Sequence, residues 1–256
     1  MWQVFLIVGI FGALIGSFLN VCIYRLPRHE SIVWPGSHCP SCSKPIAWYD
    51  NVPILGYLML AGRCRVCSVN IPLHYPVVEA LNAIGYLALL WHFGPTVEAA
   101  VYAVLYSALL VVAGTDLSHK IIPNAITFPG IVLGLVSAAT LLPLGLLNSL
   151  IGLLVGGGIL WLLAWASPYL FGKEGMGGGD IKLLAMIGAF LGWKLALMTI
   201  MIGSLVGSVV GVSLLAAQVI KRQDYIPFGP FLVLGAVVSL FFGIGILDWY
   251  QGLLAG

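Results

Sequence analysis

Long apolar runs separated by short polar breaks dominate the chain, at about residues 2–24, 76–93, 97–115, 124–142, 146–166, 181–192, 195–220 and 229–247. Most of these eight segments approach the roughly 20 residues a helix needs to cross a bilayer core of about 30 Å. The breaks carry turn-forming residues: His92-Phe93-Gly94-Pro95, Ile122-Pro123-Asn124, Pro143-Leu144-Gly145, Ser167-Pro168 and Pro227-Phe228-Gly229-Pro230. Their spacing predicts helices rather than barrel strands. The expected fold class is therefore all-α, a polytopic bundle of about eight transmembrane helices.

Composition agrees with a lipid environment. Hydrophobic residues make up 61% of the chain and charged residues only 8%, against roughly 25% charged in an average soluble protein. Mean hydropathy is +1.06. A net charge of +2 gives no sign of nucleic acid as a partner. The expected organisation is a first span over 1–24, a polar loop over 25–75, and a membrane-embedded core of about seven helices over 76–256. The first segment is expected to remain as a span rather than a cleaved signal, because its positive charges follow the apolar run.

Charge placement predicts the orientation. Arg25, Arg28, Lys44, Arg63 and Arg65 all lie in the long polar loop, which the positive-inside rule assigns to the cytoplasm. Alternating eight spans from there puts Lys120, Lys173, Lys182, Lys221 and Arg222 on the same side, so that ten of the eleven basic residues agree and Lys194 alone lies outside.

Two acids then stand out, because ionisable groups at membrane depth are costly. Asp116 closes the third apolar run in Gly114-Thr115-Asp116-Leu117, and Asp180 opens the sixth after Gly177-Gly178-Gly179. The eight-span count places both at the cytoplasmic face, where they are able to meet. Taken singly, Asp116 also reads as a helix-end acid paired with Lys120, and Asp180 as an N-cap. The sixth span, 181–192, is only roughly 18 Å long, which predicts that the Gly175–Gly179 stretch dips below the membrane surface. Two carboxylates sharing such a site divide one proton, which is the chemistry of an aspartic protease. No Gly-Lys-Ser/Thr follows the glycine run, so it is no phosphate cradle.

The polar loop holds Cys39-Pro40-Ser41-Cys42 and, after twenty-one residues, Cys64-Arg65-Val66-Cys67. Two such knuckles predict a tetrathiolate zinc site, and four protein thiolates close the metal off for a structural role. Disulfides are the alternative, disfavoured in a reducing cytoplasm. His38 and His74 flank the module as additional candidate ligands or ordinary loop histidines, and Cys22 reads as a packed small hydrophobe. Gly12-xxx-Gly16 and Gly203-xxx-Gly207-xxx-Gly211 predict close helix packing, and the same stripes are compatible with a homodimer. Several of the tryptophans fall near span ends, as interfacial anchors do.

In order along the chain stand Ser17-Phe18-Leu19-Asn20-Val21 with Tyr24-Arg25-Leu26-Pro27, the two knuckles, Tyr75-Pro76 with Glu79, Asp116 with Ile122-Pro123-Asn124, and Gly177 to Asp180. In this combination the chain resembles the type IV prepilin leader peptidase and N-methyltransferase family, GxGD-type aspartic membrane proteases, over about residues 10–230. The resemblance implies a bacterial inner-membrane enzyme that cuts the leader from type IV prepilins and pseudopilins after a glycine. It also implies methylation of the new N-terminus by S-adenosylmethionine. It assigns catalysis to Asp116 and Asp180, and zinc (Zn2+) binding to Cys39, Cys42, Cys64 and Cys67. Glu79, with Asn82 at i+3, becomes a candidate for holding the new amine or the methyl donor, against the plainer reading of a snorkelling or helix-paired acid. A presenilin-like protease would not predict the knuckles, a transporter would place acids at mid-span, and a zinc scaffold would leave the matched acids unexplained.

Overall fold

The computed structural model describes residues 2–171, 177–219, 221 and 226–255. Its helices are α1 (Trp2–Arg25), the short α2 (Leu55–Met59), α3 (His74–Phe93), α4 (Val97–His119), α5 (Asn124–Thr140), α6 (Leu146–Phe171), α7 (Gly178–Ala216) and α8 (Gly229–Ala255). Six of them are long and apolar enough to cross a membrane, and α5 is a shorter apolar helix. Along these helices large apolar side chains such as Ile7, Trp91, Leu154 and Phe242 face outward, the surface that lipid covers. The chain divides into two compact units, Met1–Val111 and Val112–Gly256.

In the first unit, small residues and a polar ladder bring the helices together. A Cβ on Gly12 would lie 2.9 Å from the Ala83 Cα, and one on Gly16 would lie 2.7 Å from the Glu79 Cα. The first predicted small-residue stripe thus seats α1 directly on the backbone of α3. With backbones this close, the Asn82 amide donates to the Gly12 carbonyl at 2.7 Å. The Ser107 hydroxyl on α4 donates to Asn82 Oδ1 at 3.0 Å, and Tyr86 shares a further bond with Ser107. A buried amide in an apolar setting needs its partners, and here both ends of Asn82 have one.

The second unit is organised around α7. This helix breaks at Gly192, whose φ of 78° and ψ of 173° lie outside helical space. That left-handed φ is one only glycine adopts readily. The pairing of neighbours shows that the chain reverses there. Along residues 193–216, Gly203 meets Phe231 and Thr199 meets Gly235, while Leu195 meets Gly243, so this limb runs antiparallel to α8. Because α8 begins beside Asp116, the second limb returns toward the end from which the first departs. One helix by hydrogen-bond pattern is therefore two membrane segments, and with α5 this gives the eight apolar segments that hydropathy predicts.

The first limb, residues 178–191, is roughly 21 Å long. It is enclosed by protein: Leu183, Leu184, Met186 and Ile187 are fully buried. Gly152 on α6 meets Gly188 backbone to backbone, and Gly130 on α5 makes room for Met186. Of the Gly175–Gly179 stretch expected to dip below the membrane surface, Gly178 and Gly179 form the first helical turn of α7. Gly175 and Met176 lie outside the described residues, as do Lys173 and Arg222 of the orientation count.

Candidate active site

Four helix ends of the second unit build the neighbourhood of the two acids. Asp116 lies in the last turn of α4, and Asp180 lies in the first turn of α7 after an N-cap at Gly177 whose backbone is extended. Asp180 is therefore not the N-cap itself. Its own N–H donates to the Gly177 carbonyl at 3.1 Å. Both side chains are buried, with 3% of Asp116 and 4% of Asp180 exposed, and each carboxyl lies within electrostatic reach of the other. Two negative charges so placed and so poorly solvated oppose each other's ionisation.

The segments around the acids are braced on the α4–α5 connection. A Cβ on Gly179 would come 2.9 Å from the Ile122 Cβ, so the turn that carries Asp180 rests against Ile122. Pro123 caps α5 in an extended conformation. The next residue, Asn124, accepts a hydrogen bond from the Lys182 ammonium at 2.6 Å. The Ile122-Pro123-Asn124 run is thus a brace for α7 as well as a turn.

One residue of the site was not singled out for chemistry in the sequence. The N–H of Gly229, in the first turn of α8, donates to Asp116 Oδ2 at 2.9 Å. A Cβ there would lie 2.5 Å from the same oxygen. Pro227-Phe228-Gly229-Pro230 reads as punctuation in the sequence, and only the fold shows that it delivers a donor to an acid 113 positions away.

The cysteines form a second centre in the first unit. The sulfurs of Cys39, Cys42, Cys64 and Cys67 lie within 4.8 Å of one another. Zinc–sulfur bonds of about 2.3 Å in a tetrahedron separate sulfurs by about 3.8 Å, and Cys39 Sγ and Cys67 Sγ stand 3.8 Å apart. The donor set and its spacing fit zinc. Each knuckle is built alike: the N–H groups of Ser43 and Ser68 donate to the carbonyls of Cys39 and Cys64, and both serines adopt a φ of 56°. The backbone amides of Cys67 and Val66 point at the Cys64 sulfur and draw its thiol down to about 6, favouring the thiolate that a metal requires. Arg65 in the second knuckle pairs with both oxygens of Asp50, at 2.7 and 2.6 Å.

Glu79 is buried in α3 and faces the loop. Its Oε2 accepts the N–H of Ile54 at 2.7 Å, and the Ser17 hydroxyl bonds the same carboxyl. Ile54 has a φ of 63°, a costly conformation for a β-branched residue. Nearby, the Asn20 amide donates to the Tyr75 carbonyl at 3.0 Å. Arg25 donates to the carbonyls of Ser31 and Gly36. The polar residues of Ser17-Phe18-Leu19-Asn20 and Arg25 therefore tie α1 to the start of α3 and to the loop. His38 donates from Nδ1 to the carbonyl of Gly36, and Cys22 packs in the core.

Apolar helices with a pair of buried aspartates at their ends, and a four-cysteine module in a polar loop, define a polytopic membrane protein. Comparison with known proteins narrows this. The profile of the Bacterial Peptidase A24 N-terminal domain matches residues 10–93, and that of the Type IV leader peptidase family matches residues 103–212. The chain is 36% identical to a prepilin leader peptidase/N-methyltransferase of Pseudomonas aeruginosa, over 93% of this chain and 90% of that protein. It is 38% identical to the protein of the same name from Xanthomonas campestris, covering 93% and 91%. The corresponding figures for Aeromonas salmonicida are 34%, 97% and 94%. The chain belongs to the type IV leader peptidase family. No solved structure matches it.

Proposed function

We propose that the chain is a membrane endopeptidase that removes the leader of type IV prepilins and pseudopilins after a glycine, and then methylates the new N-terminus with S-adenosylmethionine. The observation that carries this reading is the pair of buried, mutually interacting carboxyls of Asp116 and Asp180 in a chain of this family. One acid, ionised, takes a proton from water as the water oxygen bonds to the scissile carbonyl carbon. The other, protonated, gives its proton to the carbonyl oxygen. When the tetrahedral species collapses, the C–N bond breaks, the amine nitrogen receives the proton taken from water, and the second acid recovers its own.

A prepilin has a basic leader and an apolar helix, which puts its cleavage point at a membrane interface. The basic residues of the 25–75 loop support the cytoplasmic side of the bacterial inner membrane for that interface and for the acids. Cys39, Cys42, Cys64 and Cys67 would hold a structural zinc ion that ties the two knuckles together. We assign the domains accordingly: a first span over 1–24, a zinc loop over 25–75 and a protease core over 76–256. Glu79 is the candidate group near the methyl-transfer step. Its bond to Ile54 supports an action through the loop rather than by direct contact. A homodimer would have to use surfaces other than Gly203 and Gly207, which Phe231 already fills.

Incubating the purified full-length protein with a prepilin and S-adenosylmethionine, then reading product mass, tests the proposal. The expected product has lost the leader and gained one methyl group. A mass left unchanged defeats it.

A further inference from the structure

The polar loop holds a stretch that is not polar. From Val52 to Gly62 no residue is charged, and Tyr57 alone carries a polar side chain. An apolar run of this length is too short to span a bilayer; it suits a core helix or a segment lying in the membrane interface. The short helix α2 stands at its centre. A core helix it is not, because Leu55, Leu58 and Met59 are 57%, 64% and 78% exposed. Their spacing of i, i+3 and i+4 puts all three on one face. The rest of the helix is packed. A Cβ on Gly56 would run into the Asp50 carbonyl, and one on Gly62 would come 2.9 Å from the Tyr57 hydroxyl.

The place of α2 in the first unit says what covers that face. Ile54 immediately precedes α2, and its N–H donates to Glu79 Oε2 at 2.7 Å. Glu79 lies in the second turn of α3, a helix fit to cross the membrane, roughly 7–8 Å from its start. The start of α2 is therefore level with the lipid-facing part of α3, where Leu73 and Val77 are also exposed. Around it stand groups that suit a headgroup layer. Trp48 is exposed and packs edge-on against Tyr49, and Arg63 follows α2 as an exposed cation.

We infer that α2 is an interfacial anchor, whose Leu55–Leu58–Met59 face docks on the lipid surface from which the loop emerges, with Glu79 tethering it there through Ile54. The costly left-handed φ of Ile54 then serves to aim its N–H at that acid. Because Cys42 precedes α2 and Cys64 follows it, docking holds both knuckles against the same surface. The inference is independent of the protease reading.

Photo-crosslinking of the full-length protein in phosphatidylethanolamine–phosphatidylglycerol vesicles tests it. The variants are Leu58→benzoylphenylalanine and Met59→benzoylphenylalanine. Ile7→benzoylphenylalanine, on the outward face of α1, sets the full lipid signal, and Ser41→benzoylphenylalanine, exposed in the first knuckle, sets the background. Mass measurement is expected to show lipid adducts at both α2 positions severalfold above the Ser41 variant and close to the Ile7 variant. Adducts at background level overturn the inference. So do adducts to a second copy of the chain, or to an added prepilin, in place of lipid. Adding Glu79→Ala should lower the lipid adduct at position 58 severalfold, and Glu79→Gln should restore it. An undiminished adduct in the alanine variant overturns the tether.

Discussion

The Gly229 N–H bonds Asp116 Oδ2 across 2.9 Å, joining the start of the last helix to the end of the fourth. Through this contact an acid at the end of one membrane segment satisfies an otherwise unpaired amide of another. The same bond orients the Asp116 carboxyl. It links local turn chemistry at Pro227-Phe228-Gly229-Pro230 to a buried acid.

Each acid is indispensable to the proposed reaction. Asp116→Asn and Asp180→Asn should each lower leader cleavage by at least about 10²–10⁴-fold, the range set by loss of general acid–base catalysis. Both variants should still insert and accumulate. Electrophoretic separation of prepilin from mature pilin in membranes measures this, and normal processing by either variant counts against the pair.

Gly179 is constrained by contact rather than by backbone angle. Gly179→Ala sets a Cβ 2.9 Å from the Ile122 Cβ, and Asp180, the next residue, moves with it. Cleavage should fall about tenfold or more, since small displacements of a reacting group carry large rate effects. Gly158→Ala, where nothing lies within 4 Å, should cleave as wild type does in the same assay.

Removing zinc ligands should separate the two activities. Cys39→Ser or Cys64→Ser should release zinc, seen by metal analysis of the purified protein. Methylation, followed with labelled methyl donor, should suffer more than cleavage. Full methylation by protein stripped of metal would remove the module from the reaction.

Glu79 should act on the loop through Ile54. Glu79→Ala leaves the Ile54 N–H without its partner, a loss of about 1–3 kcal/mol in local stability. Glu79→Gln keeps an acceptor and should behave more nearly as wild type. Limited proteolysis of the 25–75 loop reads the difference: faster cutting is expected in the alanine variant.

The Asp50–Arg65 pair gives the loop a pH dependence of known sign. The Arg65 guanidinium holds the Asp50 carboxyl below its ordinary range. Its support is therefore complete above the usual carboxylate pKa of about 3.9 and is lost as pH falls through the lowered value. Wild-type loop protection against proteolysis should be flat from pH 8 to about pH 5. Asp50→Asn should be cut faster across that whole window.

Much of this was legible in the chain. Hydropathy located eight segments, and counting them put Asp116 and Asp180 at one end of the bundle, because apolar length and loop charge are local properties. Cysteine spacing announced the knuckles for the same reason. The contact between Gly229 and Asp116 was not legible, since it depends on how α8 meets α4 in space. Nor was the brace between Lys182 and Asn124, or the hold of Glu79 on Ile54. Each joins a side chain to a partner far along the chain, with no periodicity to betray it. The left-handed serines after each second knuckle cysteine were also hidden, because glycine is the residue usually sought at such angles.

The reversal at Gly192 separates two jobs that a single spanning helix would have to combine. The limb bearing Asp180 is wrapped in protein, so its depth is fixed by neighbouring helices and not by the thickness of the surrounding lipid. Its partner limb, with Met201, Leu205, Val209 and Val212 turned outward, takes up whatever mismatch the bilayer imposes. Asp180 is thereby insulated from changes in membrane composition that would tilt or stretch an ordinary span.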